Sequence, residues 1–485
     1  MGVTPMRRMW MVGLAAMMMV GLVPVRAAGP DVAAVIAGID AKAVGYADVA
    51  KQIWGFAEVG YQEEKSSALL QASLAAAGFT IQKGVADIPT AFVATWGTGA
   101  PVIGILGEFD ALPGLSQEAT PVKKPVVENG AGHGCGHNLF GTASMAAAVA
   151  IKEWLVANRR AGTVRFYGTP AEEGGSGKVY MVRAGLFSDV DTVIAWHPGD
   201  RNQVSADTSL ANITGKFRFR GVSAHAAGAP ERGRSALDGV ESMNYMVNMM
   251  REHVPSDTRI HYVITRGGQA PNVVPDFAEV YYYARQADMT ILGDVWDRIV
   301  AASKGAAMGT GTTVELEVTG AVWNLLPNDT LIEVQHRNLE KVGGFSYTAE
   351  ETAFATELQK TMNSTSLPSL DSVTRVQPVK RNVVGGASTD VADVSWNVPT
   401  VQLSAATYVP GTPGHSWQAV ASSGSSIGAK GMIVAAKTMA LTAIDLYTDP
   451  SIITRARAEF DRKRGPSFAW STKLGDRKPA LDYRK

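Results

Sequence analysis

Four short apolar runs in this chain each stop at a loop of glycine and polar residues, and this repetition restricts the fold more than any other feature. Residues 102–106 run into Gly107-Glu108-Phe109-Asp110, and residues 164–167 into Gly168-Thr169-Pro170-Ala171-Glu172-Glu173. Residues 193–196 run into His197-Pro198-Gly199-Asp200, and residues 401–403 precede a loop holding His415. Between such runs lie helical patterns over 41–77, 139–156 and 429–447, with apolar residues at three- and four-residue spacing and Gly78 as a stop for the first. Strands alternating with helices predict an α/β fold with a mixed sheet flanked by helices.

Between 211 and 322 the order changes to strand (213–220), helix (235–254), strand (259–265), strand (277–284), helix (291–307) and strand (313–319). This βαββαβ order is the ferredoxin-like arrangement, and its interruption of the α/β pattern marks an inserted domain. The predicted division is therefore 30–210 with 323–450 as the main domain, 211–322 as the insert, and 451–485 as a polar, basic tail that packs on the main domain. Within the insert, Met243, Met246, Met249 and Met250 read as core or interface packing rather than as ligands.

The first 27 residues have their own character. Arg7 and Arg8 precede an apolar run over 9–23, followed by Pro24-Val25-Arg26-Ala27. A basic start, a short apolar stretch and small residues at a cleavage point describe a secretory signal, and the run is shorter than the roughly 20 residues of a membrane span. The expectation is cleavage near Ala27 and an exported protein, periplasmic or secreted, with no membrane attachment after processing. An uncleaved anchor is the alternative. Lys+Arg and Asp+Glu both number 45, so the basic excess that neutralises nucleic-acid phosphates is absent.

Chemistry-bearing residues gather in the loops that follow the strands. Gly132-His133-Gly134-Cys135-Gly136-His137-Asn138 offers a thiolate and an imidazole, the preferred donors for a borderline-soft divalent ion. Its glycines let the backbone turn tightly enough to aim both at one point, and the positive end of the following helix favours a thiolate at Cys135. The alternative is a small buried cysteine beside two loop histidines. Cys135 is the single cysteine, so no internal disulfide forms. Glu172-Glu173 ends a strand, and adjacent side chains on an extended backbone point opposite ways. One carboxylate can then bind metal while its neighbour serves as a base toward water. His197 and His415 follow two further strands, at the sheet edge where ligands of open α/β sheets gather. Asp110 on the same edge either orients a ligating imidazole or caps its loop. Ser388-Thr389-Asp390 reads as a helix cap. In the insert, His225 and Asn272 are polar groups in loops, suited to contacting substrate or to a structural role.

Taken together, these motifs resemble the aminoacylase and carboxypeptidase family of dinuclear metallohydrolases, in the branch that contains the auxin-conjugate amidohydrolases. Within it, residues 133–139, 224–234 and 270–276 are most similar to the type that cleaves p-aminobenzoyl-glutamate. The resemblance implies that Cys135, His137, Glu173, His197 and His415 hold two divalent ions, Zn²⁺ or Mn²⁺. It makes Glu172 the general base and acid, with Asp110 as its supporting carboxylate, and the insert a lid or dimerisation domain. His225 would then reach the active site of the second protomer in a homodimer. Another partner that the resemblance implies is a paralogous subunit. Asn138 stands where the auxin-conjugate type has Asp, so that substrate range is not carried over. The activity implied is cleavage of the amide bond of an N-acyl or N-aroyl amino acid or a short peptide-like conjugate, as in an aminoacylase or dipeptidase. Two other readings are a thiol hydrolase with Cys135 as nucleophile, and a binding protein without catalysis.

Overall fold

In the computed structural model, residues 1–2 and 32–484 are described, and the expected export signal lies outside them. Among the described residues, eleven strands form two sheets: β1 (Thr80–Lys83), β2 (Phe92–Thr98), β3 (Val102–Gly107), β4 (Gly162–Gly168), β5 (Thr192–Gly199), β6 (Gln203–Ser205), β7 (Ala211–Arg220), β8 (Arg259–Arg266), β9 (Phe277–Gln286), β10 (Thr313–Val322) and β11 (Thr400–Ala406). The larger sheet has the order β1-β2-β4-β3-β5-β11-β6. Its centre, β4-β3-β5-β11, is parallel, while β1, β2 and β6 run antiparallel to their neighbours. The four apolar runs are these central strands, buried because helices cover both faces of a parallel sheet. Their register sets Gly107 opposite Gly168 and His197 opposite Ser404, so the loops that follow open at one edge.

Two helices, His137–Ala157 and Ser426–Thr448, are long and apolar enough to cross a membrane, but 78% and 83% of their apolar windows are buried inside the protein. They are core helices. Gly431 allows the second to lie on the end of β11, since a Cβ there would stand 2.1 Å from the Ala406 carbonyl oxygen.

The helix expected over 41–77 is broken into Ala43–Phe56 and Glu64–Ala76. Ala57 takes a left-handed φ of 45°, and Glu58 turns back to accept from the N–H groups of Lys65 (3.0 Å) and Ser66 (2.9 Å). Its carbonyl also takes the N–H of Ala111, which ties the break to the loop bearing Asp110.

Residues 211–322 form the second sheet, antiparallel in the order β10-β7-β9-β8, with helices Ala236–Met250 and Met289–Thr310 packed on it. The strand and helix order is the ferredoxin-like one. The methionine stripe divides: Met243 and Met250 are buried, Met246 and Met249 exposed. The segment after 450 begins as a helix, Ser451–Arg464, and continues as an irregular strap with turns at 466–467, 473–476 and 481–484.

Candidate metal centre

Five sequence-predicted side chains meet at the open edge of the large sheet. Gly136, at a left-handed φ of 70°, turns the chain from Cys135 into the helix that starts at His137. A Cβ on Gly136 would press Pro198 at 2.8 Å and the Tyr408 hydroxyl at 2.9 Å, so the turn requires glycine. Cys135 Sγ stands 3.4 Å from His197 Nε2. On the other side, His415 Nε2 lies 3.2 Å from Glu173 Oε1. His415 itself has a φ of 55°, and its N–H donates to the Gly134 carbonyl at 3.0 Å, which binds the last loop to the first. Donor atoms of Cys135, His137 and His197 all lie within 4.8 Å of one another, as do those of Cys135, Glu173 and His415. Cys135 belongs to both sets.

Asp110 joins the two halves. Its Oδ1 is 2.8 Å from His137 Nδ1, and its Oδ2 accepts the N–H of Glu173 at 2.9 Å. That contact fixes the imidazole with Nε2 facing the cluster, where it has no hydrogen-bond partner among the described residues. Glu108 Oε2 is 3.0 Å from the same nitrogen but off the hydrogen-bonding axis. Glu173 Oε1 is likewise buried without a hydrogen bond. Buried polar atoms left unpaired, one in each of the two donor sets that share Cys135, fit bound cations.

The electrostatics agree. The sequence suggests that the helix N-terminus favours a Cys135 thiolate, whereas burial and the charge of Glu173 push the thiol up instead. A divalent ion is the charge that would reverse this, because ligand thiols are deprotonated by the metal itself. Burial, then the charges of Glu108, Glu173 and Asp390, hold the Glu172 carboxyl well above the usual carboxylate range.

Glu172 and Glu173 do not diverge by strand alternation as the sequence suggests. They open a short turn, Glu172–Gly175, in which Ala171 has φ 57°, Glu173 has ψ 67° and Gly174 has φ 90°. This turn sends Glu172 toward Glu108 and His137, and Glu173 toward Cys135 and His415.

Other motif residues prove structural. His133 is fully buried, with Nε2 3.0 Å from the Ile53 carbonyl oxygen. Asn138 donates to the carbonyls of Ala50 and Ser423, each at 3.2 Å, and so ties two elements together. In the segment expected as a cap, Thr389 accepts the Val391 N–H at 3.2 Å, while the Asp390 side chain makes no bond to its own helix and accepts the Lys178 N–H, in the first turn of the helix Gly177–Arg183, at 2.9 Å. Asp390 also receives Lys178 Nζ at 2.7 Å, and the same ammonium lies 2.6 Å from Glu108 Oε1. Lys178, paired with Glu108 beside His137, is a residue of this site that the sequence reading did not single out. Its signal was a lone lysine opening the apolar run 179–182 directly after the Glu-Glu loop.

His225 and Asn272 lie in the second sheet's loops and belong to none of these groups. They neighbour each other, as His225 bridges to Val273 and the Ala226 N–H donates to the Asn272 carbonyl at 3.0 Å. His225 is exposed, and its Nδ1 accepts from the N–H groups of Ala227 (3.2 Å) and Gly228 (3.0 Å). The ring proton therefore sits on Nε2, free to donate outward.

Comparison with known proteins agrees with this arrangement. Residues 104–422 match the model of peptidase family M20/M25/M40. The chain is 43% identical to one of the two named subunits of the p-aminobenzoyl-glutamate hydrolase of Escherichia coli K12, over 87% of this chain and 93% of that one. It is 28% identical to the mouse Xaa-Arg dipeptidase, over 88% of this chain and 91% of that one. Among solved structures, an aminobenzoyl-glutamate utilization protein from Klebsiella pneumoniae superposes with a TM-score of 0.60 at 19% identity, covering 84% of this chain and 97% of its own. A dinuclear metal-binding M20 peptidase from Bacillus subtilis gives 0.57 at 15% identity, covering 84% and 99%. The chain thus belongs to the M20/M25/M40 peptidase family and is a hydrolase acting on amide bonds.

Proposed function

We propose that the chain is a metal-dependent amidohydrolase that frees the amino acid from an N-acyl or N-aroyl amino acid, with p-aminobenzoyl-glutamate as the first substrate to test. The observation that carries this reading is the pair of three-donor sets sharing Cys135, with the carboxyl of Glu172 beside them. The identity of the Escherichia coli relative supports the substrate.

In this reading Cys135, His137 and His197 hold one ion, and Cys135, Glu173 and His415 the other. Thiolate and imidazole suit Zn²⁺, and Mn²⁺ is the second candidate. Bound ions would polarise the substrate carbonyl and acidify a water. Glu172 takes the proton of the attacking water on its carboxylate and then passes it to the departing amide nitrogen. Asp110 keeps His137 in the ligating tautomer. Dialysis against a chelator is expected to abolish turnover, and added Zn²⁺ or Mn²⁺ to restore it. Activity that resists chelation but dies on thiol alkylation would instead make Cys135 the nucleophile.

The main domain, 30–210 with 323–450, carries this centre, and 211–322 serves as lid and dimerisation domain. Edge strand β8 exposes Tyr262, Val263 and Ile264, beside Tyr245, Met246 and Met249 of the adjoining helix. An unpaired apolar edge of this kind fits a second copy of the chain. The partner's lid would then present His225 Nε2–H to the substrate carbonyl oxygen. Val263→Lys with Met249→Asp is expected to give a monomer by sedimentation, with turnover lowered in step. The other named subunit of the Escherichia coli hydrolase is 28% identical over 54% of this chain and 63% of its own, which makes a paralogous partner the second reading. Full activity of the chain purified alone would exclude that requirement. The N-terminal pattern supports export to the periplasm or beyond, which fractionation of cells making the full chain tests.

A further inference from the structure

The turn that presents Glu172 and Glu173 has one internal backbone bond, from the Gly175 N–H to the Ala171 carbonyl at 3.1 Å, and its other restraints come from outside. Ala171 and Ser176 flank it with left-handed φ values of 57° and 58°, and Gly174 follows Glu173 at 90°. Such a conformation persists only when its surroundings over-determine it. Three of its restraints come from the main body: the Glu63 carboxylate accepts the Ala171 N–H at 2.8 Å, Asp110 accepts the Glu173 N–H at 2.9 Å, and the Tyr61 hydroxyl donates to the Gly175 carbonyl at 2.7 Å. The Glu173 carbonyl is held differently. It accepts the Tyr483 hydroxyl at 2.9 Å and Arg484 Nη2 at 2.8 Å, from residues about 310 positions away.

The strap that delivers these two groups is anchored along its length. Trp470 Nε1 donates to the buried Asp393 at 3.1 Å, and Phe468 packs on Trp323 and Trp396 with ring centres 5.4 and 4.7 Å away. Arg477 reaches the Val318 carbonyl and Glu317 of β10 in the second sheet. Arg183, from the helix after the turn, donates to the carbonyls of Gly475 and Arg477 at 2.8 and 2.9 Å. Near its end Gln62 donates to the Leu481 carbonyl at 2.7 Å, and the Tyr483 ring meets Tyr61 edge-on at 5.5 Å. Gly60 leaves the space for this approach, because a Cβ there would stand 2.2 Å from the Tyr483 hydroxyl.

We infer that the strap over residues 466–484 is a positioning element for the metal centre, with Tyr483 and Arg484 fixing the Glu173 peptide so that its carboxylate faces Cys135 and His415. Neither side chain touches the reacting atoms; both act through Glu173. The inference rests on the reading of Glu173 as a metal ligand. Outer partners of a ligand typically govern metal affinity by about 10- to 100-fold. The same strap contacts β10, so the placement of the lid and the aim of Glu173 are set by one segment.

The test is Zn²⁺ affinity, measured by competition with a chelating dye, for the full chain and for Tyr483→Phe, Arg484→Met and the double variant. Thermal melting of each metal-free protein is measured alongside. The expected result is affinity at one site weakened about tenfold or more in the double variant, with metal-free melting unmoved. Unchanged affinity in the double variant, while the parent binds two ions, overturns the strap's role and leaves the metal centre standing. A loss of affinity matched by an equal fall in metal-free melting also overturns it, because the strap would then be a general brace. A parent chain that binds no Zn²⁺ sinks the metal centre and the strap together.

Discussion

Glu172→Gln should lower kcat by about 10²- to 10⁴-fold, the range over which positioned acid–base groups contribute, while both metal ions stay bound. Glutamine keeps the size of the side chain but cannot shuttle a proton. Glu172 lies near Glu108 and His137, and it is absent from both donor sets that contain Cys135. Zn²⁺ stoichiometry and affinity should therefore be close to those of the parent, and KM should change far less than kcat. Glu173→Gln makes the contrast, since removal of one Cys135-sharing donor should cost metal at that site. Near-parental turnover in Glu172→Gln would remove the residue from the reaction. Loss of metal in that variant would instead exchange the roles of the two glutamates.

The largest effect on stability should come from Lys178→Met. The ammonium is fully buried between Glu108 (2.6 Å) and Asp390 (2.7 Å), and burial is what raises the Asp390 carboxyl from its usual range. Methionine fills the space but strands two carboxylates out of water. Removing one partner of a buried ionic cluster costs about 3–5 kcal/mol. Thermal melting should drop accordingly, and activity should fall further than folding, since Glu108 abuts His137 Nε2 at 3.0 Å. Adding Asp390→Asn to Lys178→Met removes one stranded charge and should recover part of the melting temperature. A single variant that melts with the parent would mean that the cluster is already neutralised by protonation.

Much of this architecture could be read from the residues because the central strands obey a simple rule. Each is apolar on both faces and each ends in a loop rich in glycine and donors, so residues 102–106 and 193–196 announce strand and site together. The ferredoxin-like insert showed through its element order. What stayed hidden depends on partners distant in the chain. Lys178 is one lysine among many until Asp390, 212 residues on, folds against it. Tyr483 and Arg484 carry no local pattern at all. The turn at Glu172 misled for another reason: apolar spacing reports burial, not dihedral angles, and Ala171 at φ 57° leaves no trace in composition. Asn138 gives its side-chain N–H groups to two backbone carbonyls, partners that its place in the motif does not announce.

The place of β11 in the large sheet has a consequence for synthesis. It inserts between β5 and β6, although some 200 residues separate it from both in the chain. While a ribosome is still making residues 206–399, the fully buried stretch Val193, Ile194, Ala195 and Trp196 has an open flank with its peptide groups unsatisfied. Such a flank is a template for stray pairing between nascent chains. The sheet is thus most open to stray pairing until residues 400–406 reach it, wherever the chain folds.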